Sequence, residues 1–218
     1  MTKNEENRLK TLLLILNESD LLDQKSILNL FSRFPVIGNE GVENLIVYVD
    51  ILKTIDDAGK LSLISALKRQ IESTVSEKSF PEEKIKVVEN YETPVDHKFF
   101  SEPKTTENET GNLSVLFVLG LGGRDELKRI LSDFIDSCRA GESIPSEMTS
   151  EYISSRLKLP PEPDLIISHS KHALTDFMIW QTAYSEYYFF EKDVSRLTDV
   201  DFKKAFDNFY KRERRYGA

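Results

Sequence analysis

One cysteine in 218 residues rules out an internal disulfide and cannot supply a thiolate-rich zinc site. That residue, Cys138, falls inside a helical pattern, where a thiol serves as a small apolar side chain. Long apolar runs are also missing. The longest near the start, Leu12 to Leu16, is far short of the roughly 20 residues that cross a bilayer. Residues 1–10 are polar and mixed in charge, without the basic and apolar order of a secretion signal. The expectation is a cytoplasmic chain. Positive charge is the minority sign, with 29 Lys and Arg against 37 Asp and Glu and a net charge of −8. Such a balance excludes a surface that coats nucleic acid or an anionic membrane. No repeat at a period of 20–50 residues is present, which sets aside solenoids and propellers.

What is present is ordinary globular composition, 39% apolar and 30% charged, in a chain long enough to bury a core without staples. Continuous apolar runs read as strands buried on both faces: Leu12–Leu16, Leu45–Val49, Ile85–Val88, Leu113–Leu119, Asp164–Ile167 and Tyr187–Phe190. Helical spacing fills the intervals. Asp23 caps a helix carrying Ile27, Leu28, Leu30, Phe31 and Phe34, stopped by Pro35 and Gly38. Leu63, Ile64, Leu67, Ile71 and Val75 define another over 60–77. Further helices are expected over 124–139 (Leu127, Ile130, Leu131, Phe134 and Ile135 inward), from Ser146 to Leu157, over 174–185, and after Thr198 or Asp199 (Phe202, Ala205, Phe206 and Phe209 inward). Residues 93–112, rich in Glu, Thr, Asn and Pro, read as a mobile loop. Strands alternating with helices predict a single α/β domain over 1–218, with a mostly parallel sheet of about six strands flanked by helices.

Chemistry-bearing residues are few. Gly120, Gly122 and Gly123 join a strand to a helix, where backbone amides can cradle a phosphate. Neither a P-loop nor a full dinucleotide fingerprint follows, and a tight strand-to-helix turn is the better explanation for them. His169 and His172 stand three apart after the fifth strand, beside Lys171 and Asp176, too few ligands for a metal site on their own. Ser170 lacks the glycines of a nucleophile elbow. Glu186, between Tyr184 and Tyr187, is either a metal-binding carboxylate or one at a helix end. The surrounding aromatics, Tyr184 and Tyr187 to Phe190, suit a core and a dimer surface. Residues 211–215 gather four positive charges and one negative. Such a run is either a solvated helix end, favoured by the helix dipole, or an arginine grip on a phosphate, with Gly217 permitting close approach.

Three strings carry a family resemblance: Pro163-Asp-Leu165, the unbroken run from Thr175 to Phe189, and Arg212-Glu-Arg-Arg-Tyr-Gly217. In order and spacing they resemble the C-terminal third of cis-prenyltransferases, the undecaprenyl and dehydrodolichyl diphosphate synthases. The likeness is specific over about 111–217, where Gly122-Gly-Arg124 also fits, and collinear but weak over 10–90. The resemblance implies a cis-prenyltransferase-like fold. It also sets the departures. Where the family ends a buried strand in Asp-Gly-Asn, whose Asp binds magnesium and the allylic diphosphate, this chain has Asn17-Glu-Ser19. An amide lacks the anionic oxygen that Mg²⁺ takes from protein. The arginine-rich stretch that follows is replaced by Leu21-Leu22-Asp23, and the Ser-x-x-Asn-Trp loop by Asp50-Ile-Leu-Lys-Thr54. The family's Arg-Thr-Ser-Gly-Glu segment has become Ser168-His-Ser-Lys-His172.

Two features match the family. Glu186 corresponds to a glutamate associated with the metal, and Arg215-Tyr216-Gly217 to the Arg-x-Gly tail that crosses the dimer interface to the neighbour's substrate. The pattern resembles Nogo-B receptor-type subunits, which keep the fold without its catalysis. The resemblance therefore implies a non-catalytic subunit paired with a catalytic cis-prenyltransferase homologue in a heterodimer or heterotetramer. Its substrate-binding residues would be Arg212, Arg215, Tyr216 and Gly217, acting on isopentenyl diphosphate, with Mg²⁺ bound mainly by the partner. Contact with membrane would be peripheral, through the lipid product, and nucleic acid is not an expected ligand. The alternatives are a divergent homodimeric cis-prenyltransferase using Glu186 and a scaffold that binds a polyprenyl lipid.

Overall fold

A computed structural model describes residues 8–51, 54–91, 95, 98–101, 112–159, 162–168 and 177–212. The apolar runs form six strands: β1 (Thr11–Asn17), β2 (Asn44–Asp50), β3 (Ile85–Val88), β4 (Ser114–Leu119), β5 (Leu165–Ser168) and β6 (Glu186–Phe189). They make one sheet in the order β3-β4-β2-β1-β5-β6, and every pairing is parallel. β1, β2, β4 and β5 are buried along nearly their whole length, as unalternating apolar strands require.

Both faces carry a core. On one, Leu12, Leu14 and Leu16 of β1 pack with residues from α2 (Gln24–Phe31), α3 (Phe34–Asn39), α4 (Asp57–Glu77) and α8 (Asp199–Lys211). Phe31, Phe34, Phe80 and Phe117 fill its centre, with Phe31 stacked on Phe117 at 5.9 Å between ring centroids. On the other, Leu13 and Ile15 meet Ile46, Tyr48, Leu116, Ile166, Phe177 and Met178.

Several boundaries differ from the sequence expectation. Asn17 to Asp20 is not a plain loop, because a short α1 (Glu18–Leu22) starts directly after β1. Pro35 and Gly38 do not end a helix. They lie inside α3, where Pro35 occupies the first turn and its missing N–H has no partner to lose. Asp23 does cap α2, its carboxylate accepting the Ser26 N–H at 2.8 Å. On α6 (Gly123–Arg139), Ile130 and Phe134 turn inward, but Leu131 and Ile135 are exposed, and Glu126 is buried instead. The helix expected from Ser146 is a 3₁₀ turn over Pro145–Glu147 followed by α7 (Ser150–Arg156). Phe177 to Tyr184 forms turns rather than a helix, and Met178 has φ +50°, a left-handed conformation that breaks helical propagation. Most of 93–112 lies outside the described residues, apart from Val95, Asn112 and the one-turn α5 (Lys98–Ser101).

Candidate functional site

Adjacent strands β1 and β5 lead to connections that depart in opposite directions, β1 toward β2 and β5 toward β6. The carboxyl ends of those strands are where a parallel sheet opens a crevice. β1 ends there in Asn17, beside Asp50 of β2. The Asn17 N–H is taken by the Asp20 carboxylate at 2.9 Å, which starts α1. One strand inward, a cleft of about 380 Å³ is lined by Tyr48, Asp50, Asp57, Lys60, Gly120 and Arg124. Gly120 has φ +67°, and a Cβ there would meet Ile51 Cδ1 at 2.8 Å, so the turn after β4 requires glycine. Below the cleft the Tyr48 ring lies flat on Phe177, 3.9 Å between centroids.

A buried polar latch closes the same edge. Glu126, 6% exposed, accepts the Lys158 backbone N–H at 2.6 Å. Burial raises its pKa, opposed by that hydrogen bond and by Arg129. Gln181 donates to the Leu159 carbonyl at 3.1 Å, and its Oε1 has no donor among the described residues. The Tyr91 hydroxyl donates to the Gly122 carbonyl, tying the start of α6 to the end of β3. Sequence reasoning passed over Glu126. The signal was available: positions 126, 130 and 134 share one helix face, and a carboxylate in that stripe has to be buried.

Glu186 lies at the opposite edge. Its register places it beside Leu165, which pairs with Leu12, so Asn17 is five strand residues away, about 17 Å along the sheet. There Glu186 Oε2 accepts from Arg212 Nη1 at 2.6 Å. The backbone around it is tightly held: Glu186 N–H donates to the Asp164 carbonyl at 2.9 Å, and the Ser185 hydroxyl to the Pro163 carbonyl at 2.6 Å. The Asp164 carboxylate in turn accepts the N–H groups of Lys10 and Thr11. α8 arrives at this edge, with the Tyr210 phenol raised in pKa by burial and facing the Leu9 backbone.

The structure thus brings Glu186 and Arg212 together and holds both away from Asn17. Arg215, Tyr216, Gly217, His169, Ser170, Lys171, His172 and Asp176 lie outside the described residues. Among the described residues no group of three His, Cys, Asp or Glu side chains could hold a metal ion. With an amide at position 17 and Glu186 engaged by an arginine, the described side chains do not assemble a magnesium site. Among the described residues no helix is long and apolar enough to cross a membrane.

Residues 59–217 match the prenyltransferase family model described as "Putative undecaprenyl diphosphate synthase". An isoprenyl transferase of Thermotoga maritima is 36% identical over 124 residues, 56% of this chain and 52% of that protein. The geranylgeranyl-diphosphate-specific tritrans,polycis-undecaprenyl-diphosphate synthase of Picrophilus torridus is 34% identical over 122 residues, 52% of this chain and 47% of that protein. The match spans about half the length of these curated relatives. Among solved structures, a "probable undecaprenyl diphosphate synthase" of Campylobacter jejuni superposes with TM-score 0.66 at 21% identity, covering 96% of this chain and 99% of that one. Lavandulyl diphosphate synthase from Lavandula x intermedia, bound to dimethylallyl diphosphate, gives TM-score 0.71 at 16% identity, covering 98% and 100%. These two show the shared fold, and the match over 59–217 shows the lineage: the chain belongs to the undecaprenyl diphosphate synthase family of prenyltransferases.

Proposed function

We propose that the chain is a non-catalytic subunit of a heteromeric cis-prenyltransferase, resembling the Nogo-B receptor type. The complex adds isopentenyl units to an allylic diphosphate and gives a long polyprenyl diphosphate. The partner is a catalytic homologue that binds most of the Mg²⁺, and the assembly is cytoplasmic with membrane contact only through its lipid product.

The observation that carries this reading is the position of the tail's root. Tyr210, near the end of α8, lies against the Leu9 backbone, two residues before β1 begins and at the other end of that strand from Asn17. Arg215 lies three residue steps beyond Arg212, a span of at most about 10 Å. Arg212 is held on Glu186, about 17 Å along the sheet from Asn17, so the tail starts from the end of the sheet away from the chain's own crevice. Arg215 and the Gly217 backbone would then bind isopentenyl diphosphate in the partner, where a preorganised cation stabilises the departing charge. Two further facts support it. Asn17 replaces the anionic ligand at the crevice, and the interior between the sheet and α2 to α4 is packed with Phe31, Phe34, Phe80 and Phe117, leaving lipid storage to the partner.

The relatives' names, isoprenyl transferases, favour the rival reading of a divergent homodimeric enzyme. Purified chain supplied with isopentenyl diphosphate, an allylic diphosphate and Mg²⁺ separates the two. The subunit reading expects turnover only after co-expression with a catalytic homologue; robust synthesis by the chain alone refutes it.

A further inference from the structure

Glu186 and Arg212 were each expected, by resemblance, to face substrate or metal; in the structure they face one another. We infer that the two are positioning residues, whose ion pair fixes the point and direction from which the C-terminal tail leaves the body. The inference rests on the tail acting in a neighbouring subunit, and it assigns Glu186 a structural partner in place of a metal ion.

Three observations converge. The pair is short, 2.6 Å between Nη1 and Oε2, and only partly solvated, with side-chain exposures of 38% for Arg212 and 25% for Glu186. Glu186 is the first residue of β6, immobilised through Asp164 and Pro163 on strands β1 and β5. Arg212 is the C-cap of α8: its N–H donates to the Phe209 carbonyl at 3.1 Å and its backbone turns extended at φ −84°, ψ 143°. Helix end, guanidinium and sheet edge thereby fix the position and backbone direction of residue 212, the root from which the tail departs. A tail held at its root pays less ordering entropy when its arginine reaches a phosphate.

The test uses the whole chain and its complex. In the isolated chain, Glu186→Gln and Arg212→Gln are each expected to speed hydrogen exchange of the residue-212 amide about tenfold, with the global unfolding midpoint unchanged. The charge-exchanged pair, Glu186→Arg with Arg212→Glu, should restore slow exchange. In the active complex, kcat/KM for isopentenyl diphosphate should fall about tenfold in either single variant and no further in the double glutamine variant, at an unchanged Mg²⁺ requirement. Unchanged exchange in the single variants overturns the inference. So does a defect confined to Glu186→Gln that raises the Mg²⁺ requirement, which would mark a metal ligand. A complex inactive even with the wild-type chain refutes the subunit reading instead, and the exchange measurement still decides the anchor.

Discussion

Burial raises the pKa of Glu126, because little water reaches its carboxyl group. A folded-state pKa above the unfolded value means that the folded protein binds the proton more tightly. The stability this contributes is complete below about pH 4.5 and is lost as pH rises through the shifted value. Glu126→Gln removes that loss, still accepts from Lys158 and offers an N–H to the donorless Gln181 Oε1. Urea midpoints at pH 4.5 and pH 8 should therefore converge in Glu126→Gln, with no loss at pH 8. Glu126→Ala should lose about 1–3 kcal/mol at either pH, since the part-buried Lys158 N–H loses its carboxylate acceptor. A Gln variant less stable than the parent at pH 8 would show that the charge itself is needed. The same residue shows why part of the site was not legible in the sequence. The stripe at 126, 130 and 134 says that Glu126 points inward, but its partners come from residues 32 and 55 positions on, joined only by tertiary folding.

Among the elements, α8 matters most, because it delivers the tail. Its N-terminus is clamped by Asp201, which accepts from the Thr198 N–H at 2.9 Å, the Thr198 hydroxyl at 2.7 Å and Lys192 at 2.6 Å. Burial opposes its ionisation, but the Lys192 ammonium and the Thr198 donors outweigh it and hold its pKa at about 2. A depressed carboxylate stabilises the fold above its unfolded pKa of 3.8, and that stability is lost as pH falls toward 2. Asp201→Asn should thus cost about 2 kcal/mol at pH 7 and nearly nothing at pH 2, read by thermal unfolding at both. An equal loss at both pH values would point to the cap geometry rather than the charge. This helix was legible in advance, from Thr198 and the spacing of Phe202, Ala205, Phe206 and Phe209. The turns over 177–184 were not, since the left-handed backbone at Met178 is imposed by packing beneath β1 and β2 and has no signature in the residue type.

The strand order of the whole molecule, with β1 central and β6 at an edge, puts its two expected functional regions at opposite ends of one sheet. Six apolar runs announced six strands, and the family strings announced the lineage, because both are local in sequence. Register is not local. That Glu186 sits level with Leu12 rather than with Asn17 follows from pairing across β5, which no single segment specifies. With its root at the far end of the sheet from Asn17, the cationic tail is proposed to serve another subunit. The most direct measurement is steady-state kcat/KM for isopentenyl diphosphate in the complex of this chain with a catalytic homologue, comparing wild type with Arg215→Ala at saturating subunit. Removing one preorganised cation from a diphosphate should cost roughly 2–4 kcal/mol of transition-state stabilisation, a fall of about 30- to 1000-fold. Full activity of the Arg215→Ala complex would contradict the claim.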